Sequence, residues 1–299
     1  IVLWLFNVLW KEWKPVKNPL RYPGAKSKLF DYVKKLLEVE GLTGCTFYEP
    51  FAGSASLSWM LLEKNVVNNV VINEKDPLLY HFWKAVFEST DELVQKIEQT
   101  EICIDTWKEC AKYKELSYLI GKSSVEIGYA GLFLNRTNFS GILKANPIGG
   151  IKQNSDYKID CRFNKKKVIE AIEDIARFAN KVVVSNEDAV EFMKKVLKYK
   201  RNKRTFVYID PPYYKEGPGL YRYYFTEKQH LELAKFIKTK SFPWLLSYDD
   251  VSEIRKLYSR RTCVNLYLDY SVKTSKKGKE ILVSNLEIPP MEQEQIKVG

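Results

Sequence analysis

The sequence predicts a mixed α/β fold: an open, mostly parallel sheet closed by a C-terminal antiparallel hairpin, with a smaller, mainly helical domain inserted into it. Three observations predict it. Short β-branched or aromatic runs alternate with longer amphipathic stretches, the alternation breaks once in mid-chain, and the tail changes to two strand-like runs around a Lys-Lys-Gly-Lys turn.

The strand candidates are 46–49, 69–73, 181–185, 205–210 and 244–248. The helix candidates between and around them are 27–39, 55–64, 166–180, 188–199 and 227–239. Strand alternating with helix is the pattern of a parallel sheet. Runs 262–269 and 280–286, on either side of Lys276-Lys277-Gly278-Lys279, read as the hairpin at the sheet edge. Between Trp83 and Asn164 there is helical pattern at 91–99 and 105–119, then a polar, glycine-containing segment over 135–160. The boundaries expected are 15–85 and 165–299 for the sheet domain and 86–164 for the insert.

The 299 residues suffice for one large domain with an insert or for two domains, and 45% hydrophobic residues exclude wholesale disorder. The net charge of +11 fits either a polyanionic partner or a solubilising Lys/Glu surface. Clustering favours the polyanion: Lys194, Lys195, Lys198, Lys200, Arg201, Lys203 and Arg204 crowd one stretch, and 165–167 and 273–279 form two more. The five cysteines include no CxxC pair and the histidines are only His81 and His230, so neither a metal site nor a disulfide framework is expected. A reducing, cytoplasmic interior follows as the natural compartment. The apolar start, 1–10, lacks a basic lead and a cleavage site and is too short to span a bilayer; it reads as an element packing on the body.

In an open α/β sheet ligands bind beyond the carboxyl ends of the strands, and three candidate sites fall there. Glu49-Pro50-Phe51-Ala52-Gly53-Ser54-Ala55 runs from a strand through small residues into a helix, either a ligand-binding turn or a plain tight turn. Glu74 ends the next strand, suited to gripping ribose hydroxyls, while Asp76 before Pro77 is a good helix cap. Asp210-Pro211-Pro212-Tyr213 ends the fourth strand; a chance match to this tetrad is expected in roughly one such chain in a thousand. A rigid turn explains its prolines but not a carboxylate at a strand tip with an aromatic three residues on.

This tetrad, with the glycine turn upstream, resembles the amino-methyltransferases of DNA, and in detail the Dam-type (D12 class, group alpha) adenine-N6 methyltransferase family. Leu20-Arg21-Tyr22-Pro23-Gly24-Ala25-Lys26 resembles its first motif and 49–53 its second. Phe133-Leu134-Asn135-Arg136-Thr137-Asn138-Phe139-Ser140-Gly141 resembles part of its target-recognition domain, and 244–249 and 280–285 its late motifs. The departures are Ala25 and Ala55, where further glycines are usual, and Glu74 in place of an aspartate.

The resemblance implies a Rossmann-like fold typical of S-adenosylmethionine-dependent methyltransferases, with 86–164 as target-recognition domain. It implies S-adenosyl-L-methionine as cofactor, held by Tyr22, Pro23, Gly24, Lys26, Glu49, Phe51, Gly53, Ser54, Glu74, Asp188 and Asp210. For Asp188 a helix cap is the competing reading. Catalysis falls to Asp210, Pro211, Pro212 and Tyr213, on an adenine flipped out of double-stranded DNA. DNA contacts fall to Arg136, Asn138, Phe139, Ser140, Lys144 and Asn146, with core packing for Phe139 and an internal ion pair for Arg136 as alternatives. A housekeeping or a restriction–modification role remains open, the latter with a cognate endonuclease as partner. Cytosine-N4 or RNA adenine-N6 methylation and an inactive methylase-like binding protein are the rival functions.

Overall fold

A computed structural model describes residues 17–21, 26–197, 204–259, 261–270 and 276–288. The apolar start, the 22–25 part of the first motif, the basic stretch 198–203 and the hairpin tip 271–275 lie outside the described residues.

The chain opens with a 3-10 turn into α1 (Phe30–Val39), then β1 (Thr46–Glu49), α2 (Ser56–Glu63), β2 (Asn69–Asn73) and α3 (Pro77–Glu88). The insert contributes α4 (Thr90–Gln99), α5 (Ile104–Lys112) and α6 (Ser124–Thr137). The sheet resumes through α7 (Lys165–Ala176), β3 (Val182–Ser185), α8 (Ala189–Leu197), β4 (Thr205–Ile209), α9 (Glu227–Ile237), β5 (Trp244–Asp249), α10 (Ser252–Leu257) and the hairpin β6 (Thr262–Tyr270) and β7 (Lys276–Ser284).

The sheet order is β3-β2-β1-β4-β5-β7-β6, with β7 antiparallel to both β5 and β6 and every other pair parallel. The expected mostly parallel sheet and C-terminal hairpin are both present. Period-two alternation sorts side chains to two cores. Phe206 and Tyr208 of β4 face one with α1–α4, α6 and α7, while Val207 and Ile209 face the other with α8 and α9. Winding reverses between β1 and β4, so the ends of these adjacent strands form the switch-point crevice where α/β sheets bind ligands.

Two helices depart from the sequence expectation. The helix expected over 105–119 stops at Lys112 and continues only as a 3-10 turn, Leu116–Leu119; at the break the Lys114 carbonyl accepts from Arg222 Nη2 at 2.6 Å. Helix α6 was hidden by burial. Every residue from Ile127 to Asn135 is buried, which leaves no polar face to reveal the helical period. Its start was legible as a capping box, Ser123 with Glu126. Gly128 and Gly131 let α6 lie against α3: a Cβ at either would sit 2.6 Å from the carbonyl oxygen of His81 or Leu78. The insert's Leu93, Ile97 and Leu132 share the core of the sheet's helical layer.

Of the basic runs, Lys194 and Lys195 pair with Glu191 and Glu187 on an exposed face. All five cysteines are free, and no His/Cys/Asp/Glu group among the described residues could hold a metal. No described helix is long and apolar enough to cross a membrane.

Candidate active site

Asp210 stands just beyond β4, and two groups fix its carboxylate. Oδ1 accepts from Ser247 Oγ at 2.6 Å, and Oδ2 lies 3.2 Å from Lys26 Nζ. The Ser247 hydroxyl has one proton and spends it on Asp210, so the Tyr208 hydroxyl, 2.8 Å away, donates to Ser247. Lys26 is buried, 3.8 Å from Glu280 Oε1 and 5.0 Å above the Tyr213 ring. Burial by itself would lower the lysine's pKa, but Asp210 and Glu280 together outweigh it and raise it, so Lys26 is a cation at neutral pH. Glu280 arrives from β7, whose antiparallel register sets it opposite Asp249.

The chain beyond the tetrad is anchored by Asp249, which accepts from the backbone N–H of Tyr214 at 3.0 Å and of Lys215 at 2.9 Å. Tyr213 packs on Tyr248 (ring centroids 6.2 Å apart), and the Tyr248 hydroxyl lies 2.5 Å from His230 Nδ1. Burial pushes His230 down to about 4, so its ring is neutral. Pro211 is buried and Pro212 borders the adjoining cleft.

The glycine turn is built against this site. Asn18 Nδ2 donates to the Ser54 carbonyl (2.6 Å) and to Ser56 Oγ (3.0 Å), while Trp83 Nε1 donates to the Gly53 carbonyl (2.9 Å). Ala55 sits at φ +47°, the left-handed conformation that favours glycine, which is why its place usually carries one. Glu74 accepts from Gly53 N and Asp76 N, each at 2.8 Å. Asp76 caps α3 by accepting from Leu78 N and pairs with Arg222 Nη1 at 2.9 Å. Asp188 caps α8 through Oδ1, and no bond to Oδ2 occurs among the described residues. Lys26, Glu49, Phe51, Gly53, Ser54, Glu74, Asp188 and Asp210 thus border one cleft, with the 220–225 segment forming its opposite wall. Tyr22, Pro23 and Gly24, expected here too, lie outside the described residues.

Three buried carboxyls give this cleft a pH signature. Burial pushes Glu49 up to about 8 and Glu74 and Glu280 to about 7; the Ser58 bond to Glu49 and the Lys26 charge beside Glu280 oppose it only in part. An unfolded glutamate releases its proton near 4.5, whereas the folded Glu49 keeps it to about 8. Rising pH between these values therefore weakens the fold through this group. Glu49→Gln, which cannot ionise, should gain stability over the wild type steadily from about pH 4.5 to about pH 8 and no further above it. Thermal unfolding of both across that range checks this; a constant difference would contradict it.

The insert's loop packs against the segment just before the first motif. Asn135 accepts from Arg21 N (2.7 Å) and donates to the carbonyls of Arg21 (2.7 Å) and Gly141 (2.9 Å). Asn138, expected on DNA, is fully buried instead. Its amide donates to the Ile142 and Leu143 carbonyls, and its oxygen accepts from Trp107 Nε1 at 2.7 Å, so no polar atom is left for a base edge. Phe139 is 56% exposed at the loop tip, followed by Ser140 at φ +53°. Lys144 and Asn146 are exposed, and Lys144 donates to the Pro218 carbonyl. Arg136 is half-buried and makes no ion pair with a described acid.

Ser247, Asp249, Glu280 and Arg222 were not singled out by the sequence. Ser247 left a signal as a polar residue inside an apolar strand, and Asp249 and Glu280 left weaker ones as acids at the edge of apolar runs. Arg222, in an irregular segment, left none.

Residues 22–274 match the family model of the D12 class N6 adenine-specific DNA methyltransferases. The type II methyltransferase M.MjaIII of Methanocaldococcus jannaschii is 22% identical over 75% of this chain and 80% of its own. M.CviBI, a type II methyltransferase of Paramecium bursaria Chlorella virus NC1A, is 22% identical over 81% and 86%. A solved structure from Pyrococcus horikoshii, described as an RNA methyltransferase, aligns with a TM-score of 0.39 at 13% identity over 93% of each chain, too loose to bear on substrate. The family match spans the glycine turn, the insert's loop and the Asp210 tetrad, and the chain belongs to the D12 class of N6 adenine-specific DNA methyltransferases.

Proposed function

We propose that the enzyme moves the methyl group of S-adenosyl-L-methionine to N6 of an adenine flipped out of duplex DNA, with Asp210-Pro211-Pro212-Tyr213 as the catalytic segment. The observation that carries this reading is the Asp210 carboxylate, fixed by Ser247 and Lys26 at the border of the cleft that also holds the Gly53 turn and Glu74.

The cleft's residues suit this cofactor. Glu74 turns Oε2 to the glycine turn and Oε1 to the backbone N–H of Asp76, which sets its carboxylate at the cleft for a ribose hydroxyl, and Asp188 has Oδ2 for the adenine amino group. Phe51 and the small residues of the turn allow close approach. Bound there, S-adenosyl-L-methionine supplies a methyl group already activated on a sulfonium.

The protein's own task is the nucleophile. The adenine amino nitrogen is poor because its lone pair is delocalised into the ring. Asp210 and the Pro211 carbonyl accept hydrogen bonds from its two N–H groups and draw N6 toward tetrahedral geometry, and the proton that N6 gives up on gaining the methyl group leaves by way of the Asp210 carboxylate to solvent, so that positioning and electrostatics suffice. Tyr213 holds the flipped base by stacking, worth on the order of 1–3 kcal/mol. Phe139 fills the gap in the duplex, and Ser140, Lys144 and Asn146 face the DNA beside it. Asn138 shapes their loop from inside. The type II relatives favour a restriction–modification setting with a cognate endonuclease, and five free cysteines suit the reducing cytoplasm.

Incubation with plasmid DNA and methyl-labelled S-adenosyl-L-methionine, then base analysis and methylation-sensitive sequencing, tests the reading. N6-methyladenine within one short sequence is expected; N4-methylcytosine, or label only in RNA, would overturn it.

A further inference from the structure

Arg21 and Arg136 meet where the 17–21 segment packs on the 135–141 loop, and the charge of exposed Arg162 acts on both. Arg21 Nη1 donates to the Asn138 carbonyl at 3.4 Å and Arg136 Nη1 to the Pro19 carbonyl at 3.5 Å, so both guanidiniums are pinned at one junction. Burial first, and then the charge of Arg162, lowers the proton affinity of Arg21; burial first, and then the charges of Arg21 and Arg162, lowers that of Arg136. No described carboxylate lies within ion-pair distance of any of them, although 37 acids are spread over the chain. Arg136 Nε is buried and has no hydrogen-bond partner among the described residues. Neighbouring like charges and an unspent buried donor are costly in a folded protein unless an anion completes them.

We infer that Arg21, Arg136 and Arg162 form a grip for a backbone phosphate of the DNA, beside the exposed Phe139 at the same loop. This rests on the reading of the insert's loop as the DNA-binding face and deepens it. Arg136 was expected among the recognition residues; its pinning to Pro19 and its two cationic neighbours suit a phosphate rather than a base edge. A base edge takes a single guanidinium fork, whereas a phosphate accepts from several directions and carries the charge that three cations lack. The junction is also where Asn135 clamps Arg21, so the grip fixes the strand against the segment that leads to Lys26 and the cleft. Phosphate contacts set register, and register here decides which base meets Asp210.

The test uses the full-length enzyme and a short duplex carrying the methylation site mapped on plasmid, with one phosphate at a time replaced by a neutral methylphosphonate. Wild-type affinity is expected to fall at one phosphate near the target adenine. Arg162→Gln alters an exposed side chain and should fold normally. It should bind the unmodified duplex roughly tenfold more weakly. Its log-affinity against log-salt slope should be smaller by about one. It should suffer much less further loss at that phosphate; Arg21→Gln should do the same. If both variants bind the unmodified duplex like wild type, or lose as much as wild type at every methylphosphonate, the grip is wrong. A wild type that binds and methylates the duplex while this pattern is missing would refute the grip alone; a wild type that does neither would refute the DNA reading beneath it.

Discussion

Asp210→Asn should cut single-turnover methyl transfer by about 10²–10³-fold or more while donor and DNA still bind. The substitution keeps the volume of the side chain and an oxygen for the Ser247 hydroxyl. It removes one of the two acceptors proposed for the amino hydrogens and turns an amide N–H₂ toward Lys26, which had the carboxylate at 3.2 Å. Buried Lys26 keeps Glu280 but loses the charge of Asp210, so some loss of thermal stability is expected. For this reason the transfer rate is read below the variant's own transition, with donor and DNA prebound. Near wild-type transfer would end the proposed mechanism. Ser247→Ala is the milder companion. It frees one oxygen of Asp210 without touching the charge, and should lower kcat about tenfold with KM for DNA unchanged.

Gly141→Ala, at the border of the cleft, should be among the substitutions most damaging to the fold. Gly141 holds φ +75°, and a Cβ there would clash with the Arg21 carbonyl oxygen. That carbonyl accepts from buried Asn135, so relieving the clash breaks the clamp and leaves a buried amide short of a partner. Left-handed strain of about 1–2 kcal/mol and an unsatisfied polar group of about 1–3 kcal/mol add to roughly 3 kcal/mol. In a chain of 299 residues that is a fall in Tm of roughly 5 °C. Gly150→Ala is the control: its φ is +69° but nothing lies within 4 Å of the added Cβ, so only the strain of about 1–2 kcal/mol applies. Equal losses in the two variants would mean that the Arg21 clamp contributes nothing.

Much of the fold was legible because its signals are local. Strands β1 to β5 and the hairpin were visible as apolar runs bounded by turn residues, and the Asp76-Pro77 cap marked the start of α3. Burial on all sides concealed α6, since a helix without a polar face has no period to read. What looked like one helix over 105–119 stops at Lys112, and just beyond it the Lys114 carbonyl is taken by the distant Arg222. The same contrast runs through the site. Asp210 and Glu74 stood out as acids at strand tips, but the partners that orient them come from distant segments.

Among the recognition residues, sequence pattern could not separate Phe139, which is exposed, from Asn138 beside it, which spends every polar atom within its own loop. Adjacent residues at a helix end point in different directions, and the packing of Trp107 decided which one was enclosed.

By itself the sequence determined the mostly parallel sheet, its terminal hairpin and the tetrad at the tip of β4, because periodicity, turn chemistry and a rare residue order are properties of short stretches. Tertiary packing alone brings Lys26, Ser247 and Glu280 to Asp210, anchors the chain after Tyr213 on Asp249, and gathers three arginines with no described acid paired to them. Those meetings depend on strand order and register, which bring together residues as much as 254 positions apart, and no local pattern encodes them.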